Sequence, residues 1–205
     1  MKAIYYTNKY NETITLINSE FTEHLVNLSI DEKYVYPNST YYFKFKGDHS
    51  VNFYFNKSIN SLSYMFYNIK NLKEILLSDS YYNTKNINKM DHIFDNAISL
   101  IFVNFSKFNT QNVKDMSYMF YECTSLTSID LYNFNTQNVI DMSYMCSGCS
   151  SLTSINLFNF NTQNVIDMKY MFYGCSSLIS INLFNFNTQN VTDLRYMFYE
   201  CSSLI

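Results

Sequence analysis

The sequence predicts an α/β solenoid: a right-handed, curved stack of short coils closed at its N-terminal end by a β-rich cap. Parallel strands are expected on its concave face and short helices on its convex face. Three observations predict this class. Residues 161–186, NTQNVIDMKYMFYGCSSLISINLFNF, return almost letter for letter at 135–160 and 109–134 and begin again at Asn187. Self-similarity at a fixed period, with starts at Asn109, Asn135, Asn161 and Asn187, means one supersecondary unit used many times. Within each copy, a helix-like apolar spacing gives way to a strand-like one.

Residues 1–56 lack the repeat and form the expected cap. They carry short alternating stretches at 13–17, 41–45 and 51–55, which read as strands. The last two flank Lys46-Gly47-Asp48-His49, whose glycine suits a hairpin turn. A β-rich segment ahead of a repeat array covers the core face that the first copy would otherwise expose.

Residues 57–205 form the solenoid of about six copies, starting near Lys57, Asn83, Asn109, Asn135, Asn161 and Asn187, with the last incomplete. The first two are degenerate. Their Ser63-Tyr64-Met65-Phe66-Tyr67 and Asp91-His92-Ile93-Phe94-Asp95 lie two positions further apart than the later copies do, the extra pair falling within 77–82. Insertions of this kind map to loops.

Within one copy, Val165, Met168, Met171, Phe172 and Cys175 make an apolar stripe on a short helix. Asn164 is its expected N-cap, Asp167 a capping-box variant, and Gly174 suits its C-terminus, although Glu122 and Glu200 stand at equivalent places. From Leu178 the period becomes two, with Ile181 and Leu183 pointing to one side. Parallel strands pair at about 4.8 Å, whereas helices need roughly 8–10 Å between axes. The helical side must therefore splay, which curves the stack and places the strands on its concave face. Crossovers between parallel strands are overwhelmingly right-handed. Burying about eight apolar side chains per copy, at ~1.5–3 kcal/mol each, is the main stabilising term before chain entropy is subtracted.

Composition narrows the function. The chain has 14 basic and 17 acidic residues, a formal charge of −3, which gives neither a nucleic-acid footprint nor a polybasic membrane patch. Three Gly and one Pro exclude a collagen-like or linker protein, and 20 Tyr with 18 Phe favour folding over disorder. The N-terminal residues contain no apolar signal-peptide core, and no run approaches the ~18 apolar residues of a membrane helix. Met1 reads either as a true start or as the start of a fragment that has lost an export signal.

Reactive residue types are present without the spacing that chemistry needs. Cys123, Cys149, Cys175 and Cys201 fall one per copy on the apolar stripe. Helices side by side would hold them too far apart for a disulfide, so small buried thiols are expected. Cys146 creates a lone Cys146-Ser147-Gly148-Cys149 with no second pair or His cluster, so no zinc or redox site is expected. Asp115, Asp141, Asp167 and Asp193 form a row whose expected role is capping rather than cation binding. His24, His49 and His92 are scattered and show no spaced carboxylate or thiol partner. No glycine-rich phosphate loop or nucleophile elbow occurs. The reading is of a protein that is not an enzyme, with no cofactor and no metal. The Asn109-Thr110-Gln111-Asn112 turn, repeated at 135, 161 and 187, reads as a ladder of stacked side chains that satisfies turn backbone groups.

Two rows of aromatics are left exposed in this picture. Ser128, Asp130 and Tyr132 should point outward on the strand side, as should Ser154, Asn156 and Phe158, and Ser180, Asn182 and Phe184. On the helices, Tyr118, Tyr144, Tyr170 and Tyr196 lie away from the apolar stripe. Aromatics among small polar residues have the composition of a recognition surface. Asp130, Tyr132, Asn156, Phe158, Asn182 and Phe184 are therefore the candidate partner-binding residues.

Leu178-x-x-Ile181-x-Leu183-x-x-Phe186 is similar to the opening of a leucine-rich repeat, with Phe in place of the usual Asn or Cys. The fuller string Asn-Val-Thr/Ile-Asp-Met-x-Tyr-Met-Phe-Tyr-Gly-Cys-Ser-Ser-Leu resembles the BspA-like leucine-rich repeats, including those of mycoplasma surface lipoproteins, over residues 57–205. The resemblance implies a surface or extracellular protein, some relatives being implicated in adhesion to host matrix proteins or other cells. No lipid-attachment or cell-wall anchor motif accompanies it in this chain. The expected function is a non-catalytic binding or adhesion module that presents a repeat surface to a protein or glycan, without nucleic acid and without membrane insertion. The alternative expectation is a structural repeat protein that self-assembles as a homo-oligomer through its C-terminal edge.

Overall fold

The computed structural model describes residues 1–55, 59–77, 84–106 and 108–205. The N-terminal segment supplies six strands: β1 (Lys2–Thr7), β2 (Glu12–Thr15), β3 (Leu25–Ile30), β4 (Lys33–Val35), β5 (Thr40–Phe43) and β6 (Gly47–Phe55). A 3₁₀ helix, Ser19–His24, lies between β2 and β3. Four more strands follow in the repeated region: β7 (Leu72–Leu76), β8 (Phe102–Asn104), β9 (Ser128–Asp130) and β10 (Ser154–Asn156).

Three sheets result. The largest is mixed, with strand order β4-β3-β6-β1-β7-β8; β2 pairs with β5, and β9 with β10, in two smaller ones. Strand β6 shows why the large sheet forms. Its period-two pattern buries His49, Val51, Phe53 and Phe55 on one face. Strand β1 lies between β6 and β7, with Ala3 opposite both Val51 and Ile75. The N-terminal strands and the first repeated copy therefore share one sheet. The hairpin expected around Gly47 does not form. Residues 41–43 belong to β5 and pair with β2, while β6 pairs with β1 and β3. A local turn signal was outweighed by two long-range partners.

The expected fold class is also corrected. The regular structure is almost entirely β-strand, the main sheet is mixed, and no α-helix occurs among the described residues, so a helix-decorated leucine-rich-repeat solenoid does not form. The only helical pieces among the described residues are the 3₁₀ turns Ser19–His24 and Thr84–Asn86. The stretch expected to be helical is a run of tight turns instead. Tyr118 and Glu122 have φ of 55° and 54°, in the left-handed region that ends a right-handed helix. Their equivalents repeat this: Tyr64, His92, Tyr144, Tyr170 and Tyr196 all have φ between 52° and 62°.

Hydrogen bonding shows the physical reason. A helix directs N–H groups to the carbonyl four residues back. Here alternate groups point to the next copy: Met116 to the Asp141 carbonyl, Tyr118 to Ser143, Phe120 to Met145 and Glu122 to Ser147, at 2.8–3.0 Å. Groups between them close short turns, as in Tyr121 N–H to Tyr118 and Cys123 N–H to Phe120, both 3.1 Å. Asp167 receives the Lys169 N–H at 2.9 Å across such a turn, and Asn164 donates Nδ2 to the Gln137 carbonyl of the preceding copy at 2.7 Å; neither caps a helix. Because copies bond directly on this side as well as through strands, the strand–helix mismatch from which curvature and a concave strand face were expected does not arise.

The core follows the sequence reading. Val165, Met168, Met171, Phe172, Cys175 and Leu178 are fully buried, and Ile181 and Leu183 pack against them. Phe66, Phe94 and Phe120 stack in one column at 5.6–5.8 Å, and Phe172 stacks on Phe198 at 5.5 Å. Cys146 stands where the column would place its next ring. The extra pair expected within 77–82 lies, except for Leu77, outside the described residues, as do the copy starts Lys57 and Asn83.

Candidate functional site

Strands β9 and β10 set the strand face. They pair in parallel register, Ser128 opposite Ser154, Ile129 opposite Ile155 and Asp130 opposite Asn156. Alternation turns Ile129 inward and leaves Ser128 and Asp130 outward. Leu131 and Leu157 then anchor the chain inside, and the next residues project: Tyr132 is 48% exposed, Phe158 55% and Phe184 91%. The Tyr132 and Phe158 rings lie 6.4 Å apart and 15° from parallel.

The polar members of the row position these rings. Asp130 Oδ1 accepts the Tyr132 N–H at 3.0 Å, Asn156 Oδ1 that of Phe158 at 3.2 Å, and Asn182 Oδ1 that of Phe184 at 2.9 Å. Asn156 Nδ2 also donates to Asp130 Oδ1 at 3.2 Å. All six candidate residues are thus brought to one face, with the carboxylate and amides holding turns and the rings left exposed. No strand forms at residues 180–182, so the third member of the row sits on irregular chain.

A notch opens beside the row that the sequence reading missed. No backbone bridge joins β8 to β9 among the described residues, and the two belong to different sheets. A cavity of about 220 Å³ lies at that break, lined in part by Phe102, Asn104, Ser106, Asp130 and Asn133. The signal was in the alignment of copies: Phe102 stands where Ser128, Ser154 and Ser180 stand, and Ser106 stands in the place of Tyr132.

The second aromatic row is used internally. Tyr64, His92, Tyr118, Tyr144, Tyr170 and Tyr196 stack face to face at successive centroid distances of 4.4, 4.4, 4.5, 4.7 and 5.0 Å. Burial pushes the Tyr118 phenol up to about 12. Two histidines do face carboxylates, contrary to the sequence reading: His49 Nδ1 lies 2.9 Å from Asp31 Oδ2, and His92 Nδ1 lies 2.6 Å from Asp95 Oδ2. Burial raises the Asp95 carboxyl, opposed by His92.

The cysteines are buried and unpaired, apart from the half-buried Cys201. Cys123, Cys149, Cys175 and Cys201 each donate Sγ–H to a carbonyl of the preceding copy at 3.0–3.1 Å. Burial raises the Cys123, Cys146 and Cys175 thiols, which keeps them protonated and unreactive. The aspartate row caps turns: Asp115, Asp141, Asp167 and Asp193 each accept the N–H two residues on, and each is backbone-bridged to its neighbours in the row. The Asn-Thr-Gln-Asn turns ladder as expected, but through backbone groups. Thr136 Oγ1 donates to the Asn161 carbonyl at 3.0 Å and accepts its N–H at 2.8 Å. Among the described residues no group of three or more His, Cys, Asp or Glu could hold a metal ion, and no helix is long and apolar enough to cross a membrane.

Stacked, hydrogen-bonded copies continuous with a β-rich N-terminal region define a β-repeat protein with an aromatic face. The chain matches the family described as Mycoplasma protein of unknown function, DUF285, over residues 38–155 and 126–205, and it belongs to that family. Comparisons with curated proteins and with solved structures gave no match.

Proposed function

We propose that the chain is a non-catalytic binding module of the BspA-like repeat type, acting at the cell surface or outside the cell, which engages a protein or glycan partner through its strand face. The observation that carries this reading is the exposed row Tyr132, Phe158 and Phe184, held by Asp130, Asn156 and Asn182. Exposed aromatics on a rigid base lose little entropy on binding and bury large area, which is why such residues anchor interfaces. The aromatic row of the turns is less suited, since its ring faces are already stacked on one another.

Substituting Tyr132, Phe158 and Phe184 together by alanine tests the reading. Adhesion of the purified chain to immobilised host extracellular matrix and to intact cells is measured beside its melting temperature. Loss of adhesion with unchanged melting is expected. Undiminished adhesion of the triple variant would overturn the proposed face.

A further inference from the structure

The notch between β8 and β9 narrows the partner class. We infer that it is a subsite for one ring of a neutral pyranose sugar, an assignment that rests on the binding role of the strand face. Three observations converge. The first is shape: the break in strand pairing leaves a recess of about 220 Å³. Drug-sized ligands occupy pockets of ~300–1,000 Å³, so a single ring fits here and an extended chain does not.

The second is hydrogen-bonding capacity. In the following copies the equivalent amides are occupied: Asn159 Nδ2 donates to the Tyr132 carbonyl at 2.8 Å, and Asn185 Nδ2 to that of Phe158 at 2.6 Å. Asn133, at the same place in the repeat, makes no such bond to any described residue. Asn104 uses Oδ1 to hold the Ser106 N–H at 2.7 Å, and its Nδ2 bonds to no described residue. Among the described residues, the bonds to Asp130 from Tyr132 and Asn156 both fall on Oδ1, and Oδ2 accepts none. A carboxylate oxygen and two carboxamides supply both acceptors and donors, which adjacent sugar hydroxyls require, each being donor and acceptor at once.

The third is the wall. Phe102, 46% exposed, offers an apolar ring against which the C–H face of a pyranose can pack. The charge decides between sugars: the Asp130 carboxylate in the lining disfavours an acidic or sulfated ring and so favours a neutral one.

Saturation-transfer NMR of the full chain tests this with the methyl glycosides of glucose, galactose, mannose and N-acetylglucosamine, and separately with a mixture of neutral tetrapeptides. Transfer to the ring protons of at least one glycoside is expected. Asn133→Ala, which breaks no side-chain hydrogen bond among the described residues, and Phe102→Ser, which installs the residue of the later copies, should each weaken it about tenfold, the equivalent of one or two lost contacts. Thr188→Val, exposed on the last copy and outside both the notch and the aromatic row, should leave it unchanged. Transfer to no glycoside, transfer unaffected by both notch variants, or transfer to peptides alone would each overturn the assignment. The two readings separate cleanly. If glycosides fail while the Tyr132, Phe158 and Phe184 triple variant still loses adhesion, only the sugar subsite falls.

Discussion

Replacing Thr136 by valine removes one hydroxyl while keeping the shape of the side chain. Thr136 is 1% exposed, and its hydroxyl makes two bonds to Asn161 of the next copy, at 3.0 and 2.8 Å. Each is worth about 0.5–1.5 kcal/mol net. Asn161 is itself exposed, so water can reach its freed N–H, and the penalty for an orphaned buried donor stays small. The expected loss is therefore about 1–3 kcal/mol, a fall of roughly 2–12 °C in melting temperature for a chain of this size. Urea denaturation followed by circular dichroism measures it, with Thr188→Val as the control. Thr188 occupies the same place in the repeat but is exposed, and among the described residues its hydroxyl has no partner. Thr110→Val and Thr162→Val should match Thr136→Val, because the same reciprocal pair recurs at both. If Thr136→Val costs no more than Thr188→Val, the hydroxyl ladder does not join the copies.

The thiols predict alkaline destabilisation. Burial raises the Cys123, Cys146 and Cys175 thiols, so the folded state keeps protons that an unfolded chain releases above about pH 8.5. Stability is complete below that pH and falls as pH rises, by up to ~1.4 kcal/mol per pH unit for each thiol; denaturation midpoints at pH 7, 8.5 and 9.5 check this, and a flat profile refutes it. In the native protein, a thiol reagent should modify the half-buried Cys201 first. Tyr144→Ala removes stacking on both Tyr118 and Tyr170 and should cost about 1–3 kcal/mol, read by thermal melting. A change below about 0.5 kcal/mol, the level of an ordinary surface substitution, would show that the ring column is decorative.

What could be read from the sequence was which side chains go inside. Val165, Met168, Met171 and Cys175 are buried as their spacing indicates, yet successive tight turns accept an inward residue at similar intervals to a helix. The deciding feature was a left-handed Tyr118 and its counterparts, a conformation uncommon for such a bulky residue. Gly148 and Gly174, with Asn68 and Asn96 at the same place, all at positive φ, hinted at a left-handed position nearby, and Glu122 and Glu200 at that place concealed the hint. The exposed row was legible because Tyr132, Phe158 and Phe184 follow directly from strand alternation. The notch was not, since it depends on two strands failing to pair. Pairing of β6 with β1 and β3, rather than with its neighbour β5, was likewise a choice made by distant residues.

The bonds that join one copy to the next run along the stacking axis, from N–H groups such as those of Tyr118 and Tyr144 to the carbonyls of Ser143 and Lys169 in the copy that follows. Tension along that axis is carried by every interface in series, so the copies give way one at a time, the weakest interface first. Each copy that lets go lengthens the chain by roughly 90 Å, at ~3.3–3.6 Å per residue, and leaves the copies behind it bonded. A molecule built this way yields in steps under load and dissipates work at each one, while the copies still stacked keep their outward rings in place.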